Sequence, residues 1–240
     1  MTLRATSIGM IPFLLLFGMR SVAGQSNGGG KQAVQQRVSE LRRSIAANRA
    51  QLQKYQWIET TQVSIKGENK KNEQMACHFG SDGKVQKTPI GPPPAAPKEL
   101  PGGLRGKVAK KKIAEMKDYM DRFKSLISHY APPDPQRLQT ALQAGRASLN
   151  LSSGGPATLT FADYYKQGDK VAFTFETSAK KLLAYDVDTY LDGPKDIVTL
   201  ANQFTTLPDG TNYLQKTTLE SKSKEIQIQT ISSDYNPVSP

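Results

Sequence analysis

The sequence predicts an α+β fold, in which an antiparallel β-sheet of about nine strands has helices covering one of its faces. In the second half of the chain, six short segments with β-type alternation follow one another, separated by tight-turn sequences. Three further segments of this kind lie in the first half. Three segments with helical periodicity supply the only material that can cover the apolar face of such a sheet.

The first thirty residues have the pattern of an export signal followed by a spacer. Their apolar run, Ile8 to Met19, is well short of the roughly 20 residues that span a bilayer. Arg4 precedes the run and small residues follow it. We predict that residues 1–24 are a cleaved signal peptide and residues 25–30 a flexible spacer; an uncleaved interfacial anchor is the alternative. The product is expected to be soluble and periplasmic or extracellular.

The remainder is predicted to be one α+β domain, residues 31–236, with a C-terminal tail at 237–240. A chain of this length can bury a core without the help of disulfides. It contains a single cysteine, Cys77, so no intramolecular disulfide can form.

A first amphipathic helix is indicated by apolar residues at steps of three and four up to about Tyr55. Asn48 occupies the one gap in this apolar stripe. The opposite face is expected to be solvated, and it carries Arg37, Arg42, Arg43 and Arg49.

Three extended segments are predicted next, beginning at Trp57. Within the second, Met75, Cys77 and Phe79 alternate with more polar neighbours, which places Cys77 on the buried side of a strand. The segment Ser81–Lys84 contains Asp-Gly, a strong hairpin signal, because these residues tolerate the positive φ of a tight turn. A third strand then returns from Val85.

Residues 88–106 are rich in proline and glycine and are predicted to form an extended surface loop. A second helix follows, with apolar residues at steps of three and four from Ala109 to Tyr130. A third helix is expected to begin at Asp134, an N-cap residue that proline follows in the first turn.

The rest of the chain is predicted as an antiparallel meander of six strands, at Leu159–Tyr165, Val171–Glu176, Leu182–Leu191, Ile197–Thr206, Tyr213–Leu219 and Ile226–Ile231.

Positive charge is concentrated in the first half of the domain. Residues 31–130 have a net charge of +11, whereas residues 131–240 have a net charge of −2. The densest group, called the basic cluster below, consists of Arg105, Lys107, Lys110, Lys111 and Lys112. It is interpreted first as a solvated face, and second as a contact with an anionic membrane surface or an envelope protein. Nucleic acid is not expected as a partner, given the export signal and the lack of a recognised binding module.

Candidate catalytic and metal-ligating residues are few, since the chain has two histidines and one cysteine. Cys77 and His78 cannot pair, because adjacent residues of a strand point to opposite faces. That leaves Cys77 with His129 as a thiol–imidazole pair across the fold. No metal-ligand spacing is present, and Asp186 and Asp188 fit a wet strand face. We therefore predict no catalytic site, no metal site and no cofactor.

The order of these elements resembles that of the periplasmic lipoprotein carriers and their relatives in the outer-membrane lipoprotein-sorting superfamily. The stretches that carry the resemblance are QLQKYQWIETTQVSIKG, ACHFGSDGKVQKTPI and LLAYDVDTYLDGPKDIVTLANQFTTLPDGTNY. It implies a curved sheet, an unclosed half-barrel, whose helices lie on the concave side around an apolar cavity. None of the three stretches is a functional motif, so no ligand-binding residue is carried over.

Three functions are compatible with these observations. The first is an exported, non-enzymatic carrier for an apolar ligand, a lipid or an acyl chain, held between sheet and helices. The second is an envelope scaffold or interaction protein with a filled core, and the third is an exported hydrolase. For a carrier, the expected lining is Trp57, Met75, Phe79, Met116, Met120, Phe123, Phe173, Phe175, Leu183, Tyr185 and Val187.

Overall fold

The protein is an unclosed antiparallel half-barrel of ten strands with helices on one face. This computed structural model describes residues 36, 39, 43–44, 46–91, 103–152 and 155–238. The predicted signal peptide and spacer lie outside the described residues. The strands are β1 (Tyr55–Ile65), β2 (Glu68–Phe79), β3 (Val85–Ile90), β4 (Ala147–Leu151), β5 (Ala157–Ala162), β6 (Lys170–Glu176), β7 (Lys181–Tyr190), β8 (Ile197–Thr206), β9 (Asn212–Ser221) and β10 (Ile226–Pro237).

The sheet order is β3-β2-β1-β10-β9-β8-β7-β6-β5-β4, so β3 and β4 form its two edges. Every neighbouring pair from β4 to β10 is consecutive in the chain, which confirms the predicted meander. The first three strands join it through β1 and β10, in a register that runs from Tyr55 opposite Pro237 to Ile65 opposite Ile226.

One strand, β4, was not predicted from the sequence. It is an edge strand of only five residues, too short for the alternation of Ala147, Leu149 and Leu151 with Ser148 and Asn150 to be recognised. The predicted loop at 88–106 is also shorter than expected at both ends. Strand β3 continues to Ile90, and Pro89 is tolerated there because an edge strand needs no second partner.

Three helices accompany the sheet. Residues 36, 39, 43–44 and 46–52 are helical and belong to α1, which ends before Tyr55. The second helix, α2, spans Gly103–Ser128, and the third, α3, spans Pro135–Gln143. The N-cap of α3 is confirmed, since the Asp134 carboxylate accepts a hydrogen bond from the Gln136 N–H at 2.8 Å. Among the described residues, no helix has the length and apolar character needed to cross a membrane.

A packed core lies between the sheet and helices α2 and α3. Phe123 and Ile127 of α2, and Tyr130 in the turn that follows it, are buried in one cluster with Phe173 and Tyr185 of the sheet. Each fully buried large apolar side chain contributes about 1.5–3 kcal/mol to stability. This part of the molecule is therefore a filled core.

A β-bulge changes the face on which one predicted residue lies. The pairing of β6 with β7 shifts register between Thr174, which faces Ala184, and Phe175, which faces Leu182. As a result Leu182 is buried and Leu183 is 36% exposed. The prediction that Leu183 shares an inner face with Tyr185 is wrong, because the bulge inserts one residue into the two-residue period.

Candidate functional site

A cleft of about 620 Å³ lies beneath α1, and we call it the α1 cleft. It is enclosed by α1, the hairpin between β2 and β3, and the ends of β7, β8 and β9 that lie nearest to this helix. Its lining residues are Ser44, Ala47, Asn48, Arg49, Gln51, Leu52, Phe79, Val85, Ala179, Lys181, Leu182, Phe204, Asp209, Gly210, Thr211, Asn212, Tyr213 and Leu214.

The apolar and the polar residues of the lining come mostly from different elements of the fold. Strands contribute most of the apolar side chains, among them Phe79, Leu182, Phe204 and Leu214, because inward-facing strand positions alternate with outward-facing ones. Helix α1 adds Leu52, which is 8% exposed. The polar residues come mainly from α1 and from the turn between β8 and β9, and β7 adds Lys181. The α1 cleft therefore offers an apolar surface together with a limited set of polar groups, as ligand sites commonly do.

Helix α1 is attached to the sheet by polar contacts. The amide oxygen of Asn48 accepts a hydrogen bond from the backbone N–H of Asn212 at 2.6 Å, and the amide nitrogen of Asn48 donates to the Asn212 carbonyl. The hydroxyl of Ser44 donates to the Lys180 carbonyl at 2.6 Å. Asn48, which fills the gap in the apolar stripe of α1, is thus the residue that fixes this helix over β9.

Arg49 lies against the β2–β3 hairpin. Its Nη2 donates a hydrogen bond to the carbonyl of Gly83 at 3.1 Å. Gly83 has φ of +70°, the left-handed conformation that the Asp-Gly turn predicted. The Nε atom of Arg49 is buried and has no hydrogen-bond partner in the described part of the protein. The prediction that Arg49 belongs to a solvated face is wrong, because the hairpin packs against that side of α1.

A group of aromatic rings packs against the lining residues of the α1 cleft. Trp57, the single tryptophan of the chain, is 2% exposed, and its ring centroid lies 5.5 Å from that of Phe79. On its other side, Trp57 stacks on Tyr235 at 5.4 Å with an interplanar angle of 8°. Tyr235 in turn contacts Tyr213, another residue of the lining, with 4.3 Å between ring centroids. The tryptophan is therefore one side chain away from the α1 cleft.

A buried ion pair lies close to this aromatic group. The ammonium of Lys87 contacts the carboxylate of Glu59, and their side chains are only 11% and 3% exposed. Cys77 pairs across the sheet with Trp57 on one side and Lys87 on the other, and it is 1% exposed. Burial, followed by the nearby Glu59 carboxylate, raises the pKa of the Cys77 thiol to about 11. The prediction that Cys77 is buried is confirmed, and its low reactivity stays a prediction.

Catalytic constellations receive no support from the described side chains. His78 is exposed while its neighbour Cys77 is buried, as opposite faces of a strand require. His129 stacks on Tyr165 with 4.1 Å between ring centroids, in the part of the fold formed by α2 and the β5–β6 turn. The described residues contain no group of three His, Cys, Asp or Glu placed to hold a metal ion. Burial and the neighbouring Asp188 raise the pKa of Asp186 on the outer face.

The structure separates the predicted lining residues into two groups. Met116 packs partly buried against the core formed by α2 and the sheet, whereas Trp57, Phe79 and Met75 lie on β1 and β2. Only Phe79 among the predicted residues lines the α1 cleft. For the others, a ligand-lining role stays a prediction. The core group also contains Met120, Phe123, Phe173, Phe175, Tyr185 and Val187, all of them buried.

All five members of the basic cluster are exposed on the first half of α2. The neighbouring Val108 is 56% exposed as well. Lys111 lies 4.0 Å from Glu115, and both side chains are largely in solvent. The described contacts of this segment therefore leave its charge available to a partner.

The sequence contained signals for part of the α1 cleft. Leu52 belonged to the predicted apolar stripe, and the polar Asn48 within that stripe marked a position where the helix contacts something other than apolar side chains. Phe204 and Leu214 lie in correctly predicted strands. Nothing in the sequence paired these strands with α1, because contacts between distant segments leave no local pattern.

Comparison with known proteins gives one distant structural similarity. No family model matches the sequence, and no curated protein matches it. The chain is similar to the crystal structure of a DUF1329 family protein from Desulfovibrio piger ATCC 29098, with 10% sequence identity and a TM-score of 0.40 over 85% of this chain and 92% of that chain.

Proposed function

We propose that the protein binds a single apolar chain, a lipid or an acyl chain, in the α1 cleft and carries it as an exported, non-enzymatic binding protein. The observation that carries the proposal is the α1 cleft itself, with its volume of about 620 Å³ and its apolar wall. Ligand sites for small molecules commonly have volumes of about 300–1,000 Å³, whereas packed interiors leave only voids close to the size of a water molecule.

The two sides of the α1 cleft differ in how they are held. Leu182 and Phe204 belong to central strands of the sheet, which is braced by the packed core under α2. Helix α1, in contrast, is held by hydrogen bonds from Ser44, Asn48 and Arg49 to backbone groups of the sheet and hairpin. A rigid wall opposite a helix attached by a few polar contacts suits a protein that must take up and release a ligand.

Native mass spectrometry of the purified protein tests for a bound lipid directly. In addition, titration with a fatty acid is expected to change the fluorescence of Trp57, because this residue contacts Phe79 of the lining. Absence of a bound species together with an unchanged fluorescence at saturating fatty acid would contradict the proposal.

A pair of variants on one helix locates the site. Ala47 lines the α1 cleft, whereas Ala50 is exposed and does not line it. Ala47→Phe is expected to fill part of the cleft and weaken binding at least about ten-fold, since each lost 1.4 kcal/mol changes affinity ten-fold. Ala50→Phe is the matched control and should bind as the unaltered protein does. Equal affinities for the two variants would place the ligand elsewhere.

Replacement of a core residue tests whether the ligand binds in the α1 cleft or in the region under α2. Phe175 is 4% exposed in the packed core and does not line the α1 cleft. Phe175→Ala is expected to cost about 3–5 kcal/mol of stability while the folded protein keeps its affinity. A small stability loss combined with lost binding would instead favour a ligand held beneath α2.

The scaffold function is the second candidate, and the exposed basic cluster on α2 favours it. In that case the filled core supports a surface for an anionic membrane or an envelope protein. The two functions are compatible, because the cluster and the α1 cleft share no residue.

A further inference from the structure

We infer that the ligand of the α1 cleft is an amphiphile with one anionic head group, a carboxylate or a phosphate, and that Arg49 binds this group. The inference rests on the proposed function, because it assigns the head group of the ligand whose chain the cleft would hold.

The guanidinium of Arg49 has more donors than partners. An arginine side chain offers five N–H groups in a planar fork. Nη2 donates to the Gly83 carbonyl at 3.1 Å, while Nε is buried without a hydrogen-bond partner in the described part of the protein. A buried donor on a charged group is costly to leave unpaired. The remaining N–H groups of the fork have no hydrogen-bond partner among the described residues and are available to an anion.

Charges around the α1 cleft favour an anion. Within the described chain, no carboxylate lies within 4.0 Å of the Arg49 guanidinium. Asp209, the one carboxylate among the described lining residues, accepts hydrogen bonds from the Tyr55 hydroxyl at 2.7 Å and from the Thr211 N–H and hydroxyl at 2.8 Å each. Lys181 adds a second cationic side chain to the lining. The lining thus holds two cations and one carboxylate that is already engaged.

The hairpin holds the guanidinium in place for this role. Nη2 is fixed by the carbonyl of a turn, and a Cβ atom on Gly83 would lie 3.6 Å from it, so the turn packs directly against the fork. A fork fixed along one edge can present another edge to two oxygens of a carboxylate or phosphate. The apolar chain of the same ligand would then lie on Leu182, Phe204 and Leu214.

The test compares three ligands with the same sixteen-carbon chain: palmitate, hexadecyl phosphate and 1-hexadecanol. Each is titrated below the concentration at which it forms micelles or precipitates, while Trp57 fluorescence is recorded. We expect the unaltered protein to bind the two anions at least about ten-fold more tightly than the alcohol. Arg49→Gln should lose this preference, so that palmitate and 1-hexadecanol bind the variant with similar affinities. Arg43→Gln, which alters an exposed arginine on the same helix, should keep the preference.

Different results identify different failures. Equal binding of palmitate and hexadecanol by the unaltered protein would overturn the inference and leave the proposed function intact, and this comparison needs no variant. A preference that survives in Arg49→Gln would also overturn it. Competition by millimolar inorganic phosphate against hexadecanol would identify a site for the free ion and reject the amphiphile. If none of the three ligands binds, the proposed function itself fails.

Discussion

Asn48 of α1 and Asn212 of β9 form a reciprocal pair, in which one side-chain amide satisfies both backbone groups of the other residue. The Asn212 N–H donates to Asn48 at 2.6 Å, and Asn48 donates back to the Asn212 carbonyl. The side chain of Asn212 continues the network by donating to the carbonyls of Leu182 and Thr205 at 3.1 Å each. Helix α1 is thereby joined to three strands at the place where they line the α1 cleft.

Asn48→Ala is expected to loosen α1 without unfolding the sheet. The change leaves the N–H and carbonyl of Asn212 unpaired and should cost about 1–2 kcal/mol. Hydrogen exchange measured by mass spectrometry should accelerate in residues 46–52 and stay slow in β5 to β8. Ser44→Ala, which removes one exposed hydrogen bond of the same helix, is the control and should cost less than about 0.5 kcal/mol. Uniform acceleration over the whole sheet would contradict the separate attachment of α1.

Asp169→Asn is expected to destabilise the core beneath α2. The fully buried carboxylate accepts hydrogen bonds from the backbone N–H groups of Tyr164, Tyr165 and Lys166, and from the Tyr130 hydroxyl at 2.6 Å. An amide has one acceptor oxygen, and its NH₂ group would face these donors. The free energy of unfolding should fall by about 2–4 kcal/mol.

Asp192→Asn serves as the control for Asp169→Asn, since it removes an exposed carboxylate that pairs with Arg122. Its cost should stay below about 1 kcal/mol. The free energy of unfolding is measured by urea denaturation. Equal losses of it in the two variants would show that the buried network stabilises the protein no more than an exposed ion pair does.

The Cys77 thiol is expected to make stability fall at alkaline pH. Burial raises its pKa from 9.0 to about 11, so the folded protein retains a proton that the unfolded chain loses. Stability therefore decreases as the pH rises from about 9 to about 11, and below about 9 this group has no effect. A shift of two pKa units corresponds to about 2–3 kcal/mol.

Comparison with Cys77→Ala isolates this contribution. Burial also raises the pKa values of Tyr119 and Tyr164, but both proteins share these tyrosines, so their contribution cancels when the two are compared at each pH between 8 and 10. The variant should lose less stability over this interval. In the unaltered protein at pH 8, a thiol reagent should act about 100-fold more slowly in buffer than in denaturant, because the thiolate fraction is lower. Identical pH profiles, or equally rapid labelling, would contradict the buried thiol.

If the protein has the scaffold function, the basic cluster is expected to bind anionic membrane surfaces, whereas a merely solvated face would not. Replacing Lys110, Lys111 and Lys112 by Gln should weaken sedimentation with anionic vesicles at low salt at least about ten-fold, because each lysine near such a surface contributes about 1 kcal/mol. Circular dichroism should stay unchanged, since all three side chains are exposed.

A triple variant elsewhere controls for total charge. Lys170, Lys195 and Lys222 are also exposed, and they lie in the sheet and its turns. Their replacement by Gln should leave vesicle binding nearly unchanged. If both triple variants lose binding equally, net charge and not the basic cluster determines the interaction.

Local pattern predicted most of the fold. The two-residue period identified nine strands, and the Asp-Gly hairpin and the Asp134 cap were predicted at the correct residues. The pattern failed at Leu182 and Leu183, because a bulge between two identical residues leaves no trace in the sequence. It also failed at β4, whose alternation extends over only five residues and was too short to be recognised.

The candidate site was less predictable, since it depends on which helix covers which strands. The sequence indicated that Phe173 and Tyr185 turn inward, and the structure places them under α2, where they are packed. The α1 cleft joins residues as distant as Arg49, Phe79 and Leu214. Helical periodicity assigned Arg49 to solvent, because a helical wheel describes one face as buried and cannot include a hairpin on the other.

The pairing of β1 with β10 determines when the parts of the molecule can form during folding. Strands β4 to β9 each pair with the strand that precedes or follows them, so this half can assemble as the chain is made. Strands β1 to β3 join the sheet only through β10. Tyr55 therefore cannot form its pair until Pro237 has been synthesised. Closing so long a loop makes this step intrinsically slow. A chain that stops before β10 can therefore build the core beneath α2, but it cannot bring the β2–β3 hairpin to β9, and it has no α1 cleft.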